Sequence, residues 1–331
     1  MQSTRSVFYL AAILVFAQVY SIRLAADDSP FATANRTVFV RSLGLPNIED
    51  ARELAARQST AAFTIEQTSQ FAIDDQGLEQ AFLDGESSTA TLKLRHAFTK
   101  RFVIGMDIPF VSHDGGFMDS FVEGWHRTFG LPNARREEFS RDQLLFTVNT
   151  PEASARLDSS GSGVGDVALL AQYQLLASQH ANLSAQLRLE APTGNAEKLI
   201  GSESWDVALG LNAYRGQLAG DWRMSFHGSL GVVLPGNSDL LPQLQNDSVV
   251  YGSAALALPV FYEWLTLKAQ LEAHSAFYDT DIKSLGSTSV QLTFGVGMQL
   301  DKRWNLNIGL SEDIAVRTAP DFTVVMSLEY R

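Results

Sequence analysis

The 331 residues contain no cysteine. A small exported domain held together by disulfides is therefore excluded, whereas a closed sheet that satisfies its own backbone hydrogen bonds needs none. Positive charge is also short: 25 Lys and Arg against 37 Asp and Glu give a formal net charge of −12, with a pI near 4.9. That balance argues against nucleic acid as a partner, because phosphate binding needs a basic face. Long apolar runs are missing as well. The early run 7–17 follows the single cation Arg5 and precedes Ala25, Ala26 and the acidic pair Asp27 and Asp28. It is shorter than the about 20 apolar residues of a spanning helix, and its order is that of a secretory signal peptide cleaved near Ala26. An exported chain without a spanning helix is either soluble or a closed barrel. The mean hydropathy of −0.02 suits a barrel, since half of each strand faces a polar lumen.

What is present is a repeated period of two. Leu183, Ala185, Leu187 and Leu189 alternate with Ser184, Gln186, Arg188 and Glu190. Leu265, Leu267, Ala269 and Leu271 alternate with Thr266, Lys268, Gln270 and Glu272, and the stretches around Phe102, Val167, Trp205, Phe226, Val290 and Phe322 read the same way. Aliphatics share one face, and charges and glycines the other, as in strands between lipid and a polar lumen. Short turns at 100–101, 177–181, 216–219, 261–264 and 301–303 alternate with longer polar connections at 72–87, 113–163, 192–204, 235–246, 277–287 and 312–321. Short periplasmic turns and long outer loops are the outer-membrane pattern.

The expected fold is thus all-β: an antiparallel transmembrane β-barrel of about 12 strands with long extracellular loops. The expected order is signal peptide 1–26, an N-terminal periplasmic segment 27–57, and the barrel 58–331 with its long extracellular loop at 113–163. The apolar stretch 144–148 reads as a strand extension or hairpin within that loop. Trp205, Trp222, Trp264, Trp304 and Tyr330 sit near strand ends, as interfacial girdles do. An even strand count places both termini on the periplasmic side.

The loop 113–163 is the least barrel-like part. Phe117, Phe121, Val122, Trp125 and Phe129 recur at helical spacing, which predicts a short amphipathic helix ending near Gly130 and barred from continuing by Pro132. Asp119, Glu123 and His126 would share one side of it. With His113, Trp125 and Arg135 they form a candidate site at the extracellular mouth, since carboxylates and imidazoles can run acid–base chemistry. The simpler reading is a folded loop that caps or constricts the mouth. No catalytic or metal-ligand motif is present, and no cofactor is expected. Ser225 and His227 share a strand face but would stand about 7 Å apart, beyond a direct hydrogen bond. The run 161–166 is glycine-rich but leads into a strand pattern without a Walker lysine, so it reads as a loop. The expected lumen lining is Lys93, Arg95, Asp166, Arg188, Glu190, Asp206, Arg223, Lys268 and Glu272. Mixed signs suggest pairing across the lumen, which stiffens or plugs it.

Several of these motifs together resemble a bacterial family known only as domain of unknown function 3187. They are Phe82-Leu83-Asp84-Gly85-Glu86; the Gly-Gly, Glu123-Gly124-Trp125-His126 and Gly130-Leu131-Pro132 elements within 113–136; Gly163-Val164-Gly165-Asp166; Ala191-Pro192-Thr193-Gly194; and Glu312-Asp313 followed by Pro320-Asp321-Phe322-Thr323. The resemblance implies an outer-membrane-type barrel and no particular substrate. The leading expectation is a non-enzymatic outer-membrane protein: a pore, a small-solute transporter or a structural barrel. Its partners would be outer-membrane lipids, the barrel assembly machinery and a small-molecule solute. Two alternatives remain, an outer-membrane esterase- or phospholipase-like hydrolase with its site at the mouth, and a soluble secreted β-sandwich that binds a ligand.

Overall fold

The computed structural model describes residues 27–133, 135–218, 223–260, 264–314 and 318–331. The expected signal peptide and Trp222 lie outside the described residues. In chain order the strands are β1 (Ser59–Gln76), β2 (Glu79–Ala97), β3 (Phe102–Asp114), β4 (Leu145–Asn149), β5 (Ser154–Leu157), β6 (Gly161–Val164), β7 (Val167–Ala177) and β8 (Ala181–Ala191). There follow β9 (Asp206–Arg215), β10 (Ser225–Leu234), β11 (Val249–Pro259), β12 (Leu265–His274), β13 (Ser289–Gln299), β14 (Trp304–Asp313) and β15 (Phe322–Tyr330). One helix of three turns, α1 (Asp119–Phe129), interrupts them.

Twelve of these strands, β1 to β3 and β7 to β15, form an antiparallel ring. It closes where β1 pairs with β15, Ala61 opposite Tyr330 through Ser69 opposite Phe322. Closure leaves no free edge, the condition for strands to sit in hydrocarbon. The period of two does what it predicts. Phe63, Ile65, Leu169, Tyr173, Leu209, Leu267, Leu271 and Met326 are exposed on the outer wall, while Thr64, Glu66, Gln172, Asn212, Lys268, Gln270 and Ser327 are buried inside. Trp304 and Tyr330 pack 5.1 Å apart at the short-turn end, and Trp205 stands exposed at the long-loop end, as a girdle requires.

The structure revises the expected plan in two places. The connection expected at 72–87 is strand: β1 and β2 continue to a tight turn at Gly77 and Leu78, in register to Gln76 opposite Glu79. Their polar residues obscured the alternation because this part of the outer wall is covered by protein instead of lipid. The stretch at 144–148 is, as expected, a hairpin outside the ring: β4 pairs with β2 and with β5, while β6 extends β3.

The largest revision concerns residues 27–57. The expected periplasmic segment is instead folded inside the barrel as an irregular hairpin. Its rising arm follows β12: the Lys268 ammonium donates to the Ser29 carbonyl (2.7 Å), the Phe31 N–H to the Gln270 side chain (2.9 Å), and the Asn35 amide lies 2.9 Å from the His274 ring. The chain turns over at 37–44, where the Val40 and Leu43 N–H groups donate to Thr37 and Val40 carbonyls and Gly44 has a left-handed φ of 70°. The falling arm passes Glu49 and Asp50 and reaches β2, where the Arg57 N–H donates to the Ala97 carbonyl (2.7 Å). A backbone with no strand neighbour must still pair its amides. Here lumen side-chain amides take that role: Gln270 pairs with both the N–H and the carbonyl of Phe31, Gln70 accepts from the Val38 N–H, and Gln172 and Gln174 donate to the Asp50 and Ala51 carbonyls.

The tip of this hairpin makes the main apolar core. Val38, Phe39, Val40 and Leu43 pack with Val233 and Val249 of the wall, with Phe146 and Val148 of β4, and with Phe277, Tyr278 and Ile282 of an inward-folded loop. Phe39 is wholly buried, and its carbonyl accepts from the Tyr278 hydroxyl at 2.9 Å. Burying each such side chain contributes about 1.5–3 kcal/mol. The mouth at the long-loop end is therefore closed by an apolar seal.

Candidate functional site

Two regions carry the side chains singled out by the sequence, one inside the wall and one outside it. Inside, charges alternate in a ladder between the falling arm and strands β2, β3 and β8. Glu49 accepts from Arg95 (2.7 Å) and faces Lys93 (3.4 Å). Arg95 and Arg188 both reach Asp107, at 2.7 and 2.6 Å, and Arg188 reaches Glu190 at 3.1 Å. On the rising arm, Arg36 holds Glu66 through both carboxylate oxygens at 2.8 and 2.9 Å. Lys268 faces Asp27 at 3.3 Å, and Glu272 accepts from Gln291. Asp166 accepts from the Thr193, Gly194 and Ser202 N–H groups, and Asp206 from Gly236 N–H and the hydroxyls of Ser202 and Ser204, so both pin inward loops at the mouth. The mixed lumen charges thus pair with one another and with the hairpin.

Eight of the nine expected lumen residues point inward in this way. Arg223 does not: it is exposed in the short connection before β10, with a φ of 53°. Alternation read from the sequence ran two residues past the true start of the strand. Ser225 and His227 are both buried on the inner face, without a hydrogen bond between them.

Outside, the chain crosses the rim after β3 and runs over the outer wall as a strap. Gly115 and Gly116 make the crossing possible: a Cβ on Gly115 would sit 2.0 Å from the Asp142 carbonyl oxygen, and one on Gly116 would sit 1.9 Å from the Glu86 carboxylate carbon. Glu86 then accepts from the Phe117 and Met118 N–H groups at 2.8 and 2.5 Å and so fixes where α1 begins. The helix ends as predicted at Gly130, whose φ of 71° is left-handed. Met118 and Val122 pack on Phe322 of β15, and Trp125 lies 5.6 Å from Phe322 and 6.4 Å from Phe294 of β13. Beyond the helix, the Phe139 ring packs at a tilt against Phe71 and Phe82 of β1 and β2, with centroids 5.6 and 5.2 Å away.

A buried ion cluster lies under this strap. Arg136, 5% exposed, donates to Asp119 (2.6 Å), to Asp321 (2.7 Å) and to the Ser69 hydroxyl (2.9 Å). The second oxygen of Asp119 accepts from the Asp142 N–H at 2.7 Å, and Glu123 pairs with Arg141 at 2.5 Å. His126 lies with Nδ1 3.0 Å from the Asn133 side-chain oxygen and Nε2 3.6 Å from Glu312. Asn133 donates its own amide to Glu137, which fixes its oxygen toward the ring. Both ring nitrogens therefore face acceptors, an arrangement that suits the imidazolium. Burial pushes the His126 pKa down, but the nearby carboxylates of Glu312 and Asp321 and the Asn133 side chain outweigh it, and the pKa ends above the ordinary value.

The candidate mouth site is thus divided. Asp119, Glu123 and His126 do share one side of α1, with Trp125 at its edge against Phe322, but that side docks on the outer wall and not at the mouth. Arg135 is exposed and pairs with Glu138 at 2.6 Å. His113 is on the other side of the wall, the last inward residue of β3, with its ring 2.7 Å from the Ser87 hydroxyl and 3.0 Å from the Leu199 carbonyl. Residues near in sequence are separated here by the rim crossing. Sequence reasoning missed Arg136, the centre of the cluster, and Glu49, the hairpin's contribution to the ladder. Arg136 carried a signal in its place within the motif-rich loop, and Glu49 carried none.

A twelve-stranded ring with an apolar outer belt, interfacial aromatics and a polar interior defines an outer-membrane β-barrel. Within that class, the chain belongs to the family described as "Protein of unknown function (DUF3187)", whose model matches residues 7–331. A comparison with curated proteins finds no match. Among solved structures, the COG4313 outer membrane channel from Pseudomonas putida F1 is similar over 86% of this chain and 99% of its own, with a TM-score of 0.58 and 14% identity. That likeness establishes the shared fold. A NanC porin (7% identity, TM-score 0.46, 82% of this chain and 99% of the other) and the translocator domain of the autotransporter NalP from Neisseria meningitidis (12%, 0.41, 84% and 89%) are more distant. The motif residues come together in this fold. Phe82 to Glu86, the 113–136 elements, Glu312 and Asp321-Phe322 converge under the strap, while Asp166 joins Thr193 and Gly194 at the mouth.

Proposed function

We propose that this protein is a pore or small-solute transporter of the bacterial outer membrane whose lumen is gated by residues 27–57. The observation that carries the reading is how the gate is held. Between its ends, the hairpin's arms contact the wall through side-chain amides and ion pairs, such as Gln270 with Phe31 and Arg95 with Glu49. Contacts of this kind can be exchanged for water at small net cost, on the order of 1 kcal/mol per hydrogen bond. A purely structural filler has no need of a charged ladder facing polar cavities. Export by the signal peptide 1–26 and insertion by the barrel assembly machinery belong to the same reading, as does the placing of short turns toward the periplasm.

The test is a planar-bilayer recording on the whole mature chain and on a variant lacking residues 28–57. Steady ohmic current from the variant and little from the whole chain is the expected outcome. Equal, negligible current from both, with the variant's barrel shown intact by its heat-dependent gel shift, would make the protein a structural barrel.

A further inference from the structure

Resting on the reading of the lumen as a solute path, we infer that the cavity between the rising arm's turn and strands β2, β3 and β8 is a binding site for a small oxyanion, a carboxylate-bearing solute above all, centred on Arg41. The cavity has a volume of about 50 Å³ and is lined by Arg36, Arg41, Ser42, Asp107, Asp166 and Arg188 among others. Its charges are balanced in number but not in partners. Asp107 already lies between Arg95 and Arg188. Asp166 is satisfied by three backbone N–H groups, and Glu190, also on the lining, by Arg188. Arg36 spends its guanidinium on Glu66 and Asn47.

Arg41 differs from all of these. Its Nη2 donates to the neutral Thr89 hydroxyl at 2.9 Å, and among the described residues no carboxylate stands within ion-pair distance of it. Its Nη1 is buried with no acceptor, and so are the Arg188 Nε and the hydroxyl of Ser42, a residue 3% exposed. Three buried donors around one polar cavity, one of them on a cation without a counter-charge, form an arrangement that an oxyanion completes. Buried polar groups are otherwise almost always paired, a buried charge without a partner is costly, and a guanidinium presents a fork matched to a carboxylate. The wall supplies Arg188 and the hairpin supplies Arg41 and Ser42, so the bound anion would bridge the hairpin and the barrel.

The probe is succinate, titrated calorimetrically into the full-length mature protein in detergent, with glycerol and choline as neutral and cationic comparisons. Saturable binding of succinate alone is expected. Arg41→Gln should weaken it by about tenfold or more, the loss expected for one charge-assisted contact, Arg41→Lys should retain part of it, and Ser42→Ala should weaken it less than Arg41→Gln. The heat-dependent gel shift checks that each variant is folded. Absence of succinate binding to the wild type, or binding unchanged in Arg41→Gln, overturns the site. The bilayer recording is independent of this equilibrium measurement, so the failure of the pore reading and the failure of the anion site are told apart.

Discussion

Two segments pack on the same wall from opposite sides, and they are held differently. The hairpin 27–57 meets a polar inner wall, where its arms rest on glutamines and a charge ladder and only its tip is apolar. The strap 115–142 meets the outer wall, where aromatic rings surround one buried ion cluster. A polar partner in a polar lumen can be replaced by water when the segment moves. An ion cluster sealed beneath aromatics at the membrane surface cannot be, so breaking it leaves charges stranded. An inner segment whose arms are held by exchangeable polar contacts thus stands against an outer segment held by a sealed ion cluster.

The largest test of that contrast is Arg136→Ala. It strips Asp119 and Asp321 of their shared cation while both remain under the strap, and removing one member of a buried ion group costs about 3–5 kcal/mol. The expected result is that the strap releases, read as new protease cleavage within 115–142 while the barrel keeps its gel shift. If the strap stays protected, the cluster is not what fixes it.

A smaller effect is expected inside. Glu49→Gln keeps the hydrogen-bonding shape but removes the charge that faces Lys93 and Arg95, a loss of about 1–3 kcal/mol for a hydrogen bond to a charged group. The falling arm should loosen, and bilayer recordings should show more frequent openings without a change in the barrel's thermal transition. Should the thermal transition drop while the current stays silent, the inner segment would be as structural as the outer one.

The smallest effect is the pH response of the strap. His126 has a raised pKa when docked, so its contribution is fully present below the unfolded imidazole pKa of about 6.5 and is lost as pH rises through the docked value above it. Hydrogen exchange in α1 should therefore quicken, beyond the intrinsic rate change, between neutral and mildly alkaline pH, and His126→Gln should flatten that dependence. A pH profile identical in wild type and His126→Gln would remove the imidazolium from the account.

Much of the wall was legible because lipid and lumen impose a strict alternation on every strand between them. The helix α1 was legible for a related reason: Phe117 to Phe129 repeat at the period that docking one face demands. The hairpin 27–57 left no such trace. Its residues are neither periodic nor apolar throughout, and each finds its partner on a different strand far along the chain, such as Phe31 on β12 and Arg41 on β2. Composition near the N-terminus looks like an untethered polar segment until the lumen glutamines that hold it are in view. The 72–87 stretch failed for the opposite reason. Asp84 and Glu86 occupy outward positions that lipid would forbid, and only the strap lying over them makes such a strand possible. His113 shows the limit of adjacency, because the five residues between it and Asp119, two of them glycines, carry the chain across the thickness of the wall.

The hairpin also bears on the order in which the molecule is assembled. Phe31 and Asn35 find Gln270 and His274 across 239 residues, so the segment made first is anchored to strands made among the last. Ordering it early would carry the entropy of closing a very long loop with few contacts in return. It must also be in place before the seam between β1 and β15 shuts, because afterwards the tip would have to be threaded past the charge ladder to its seal at the mouth. The seating of the hairpin is therefore coupled to the closing of the seam.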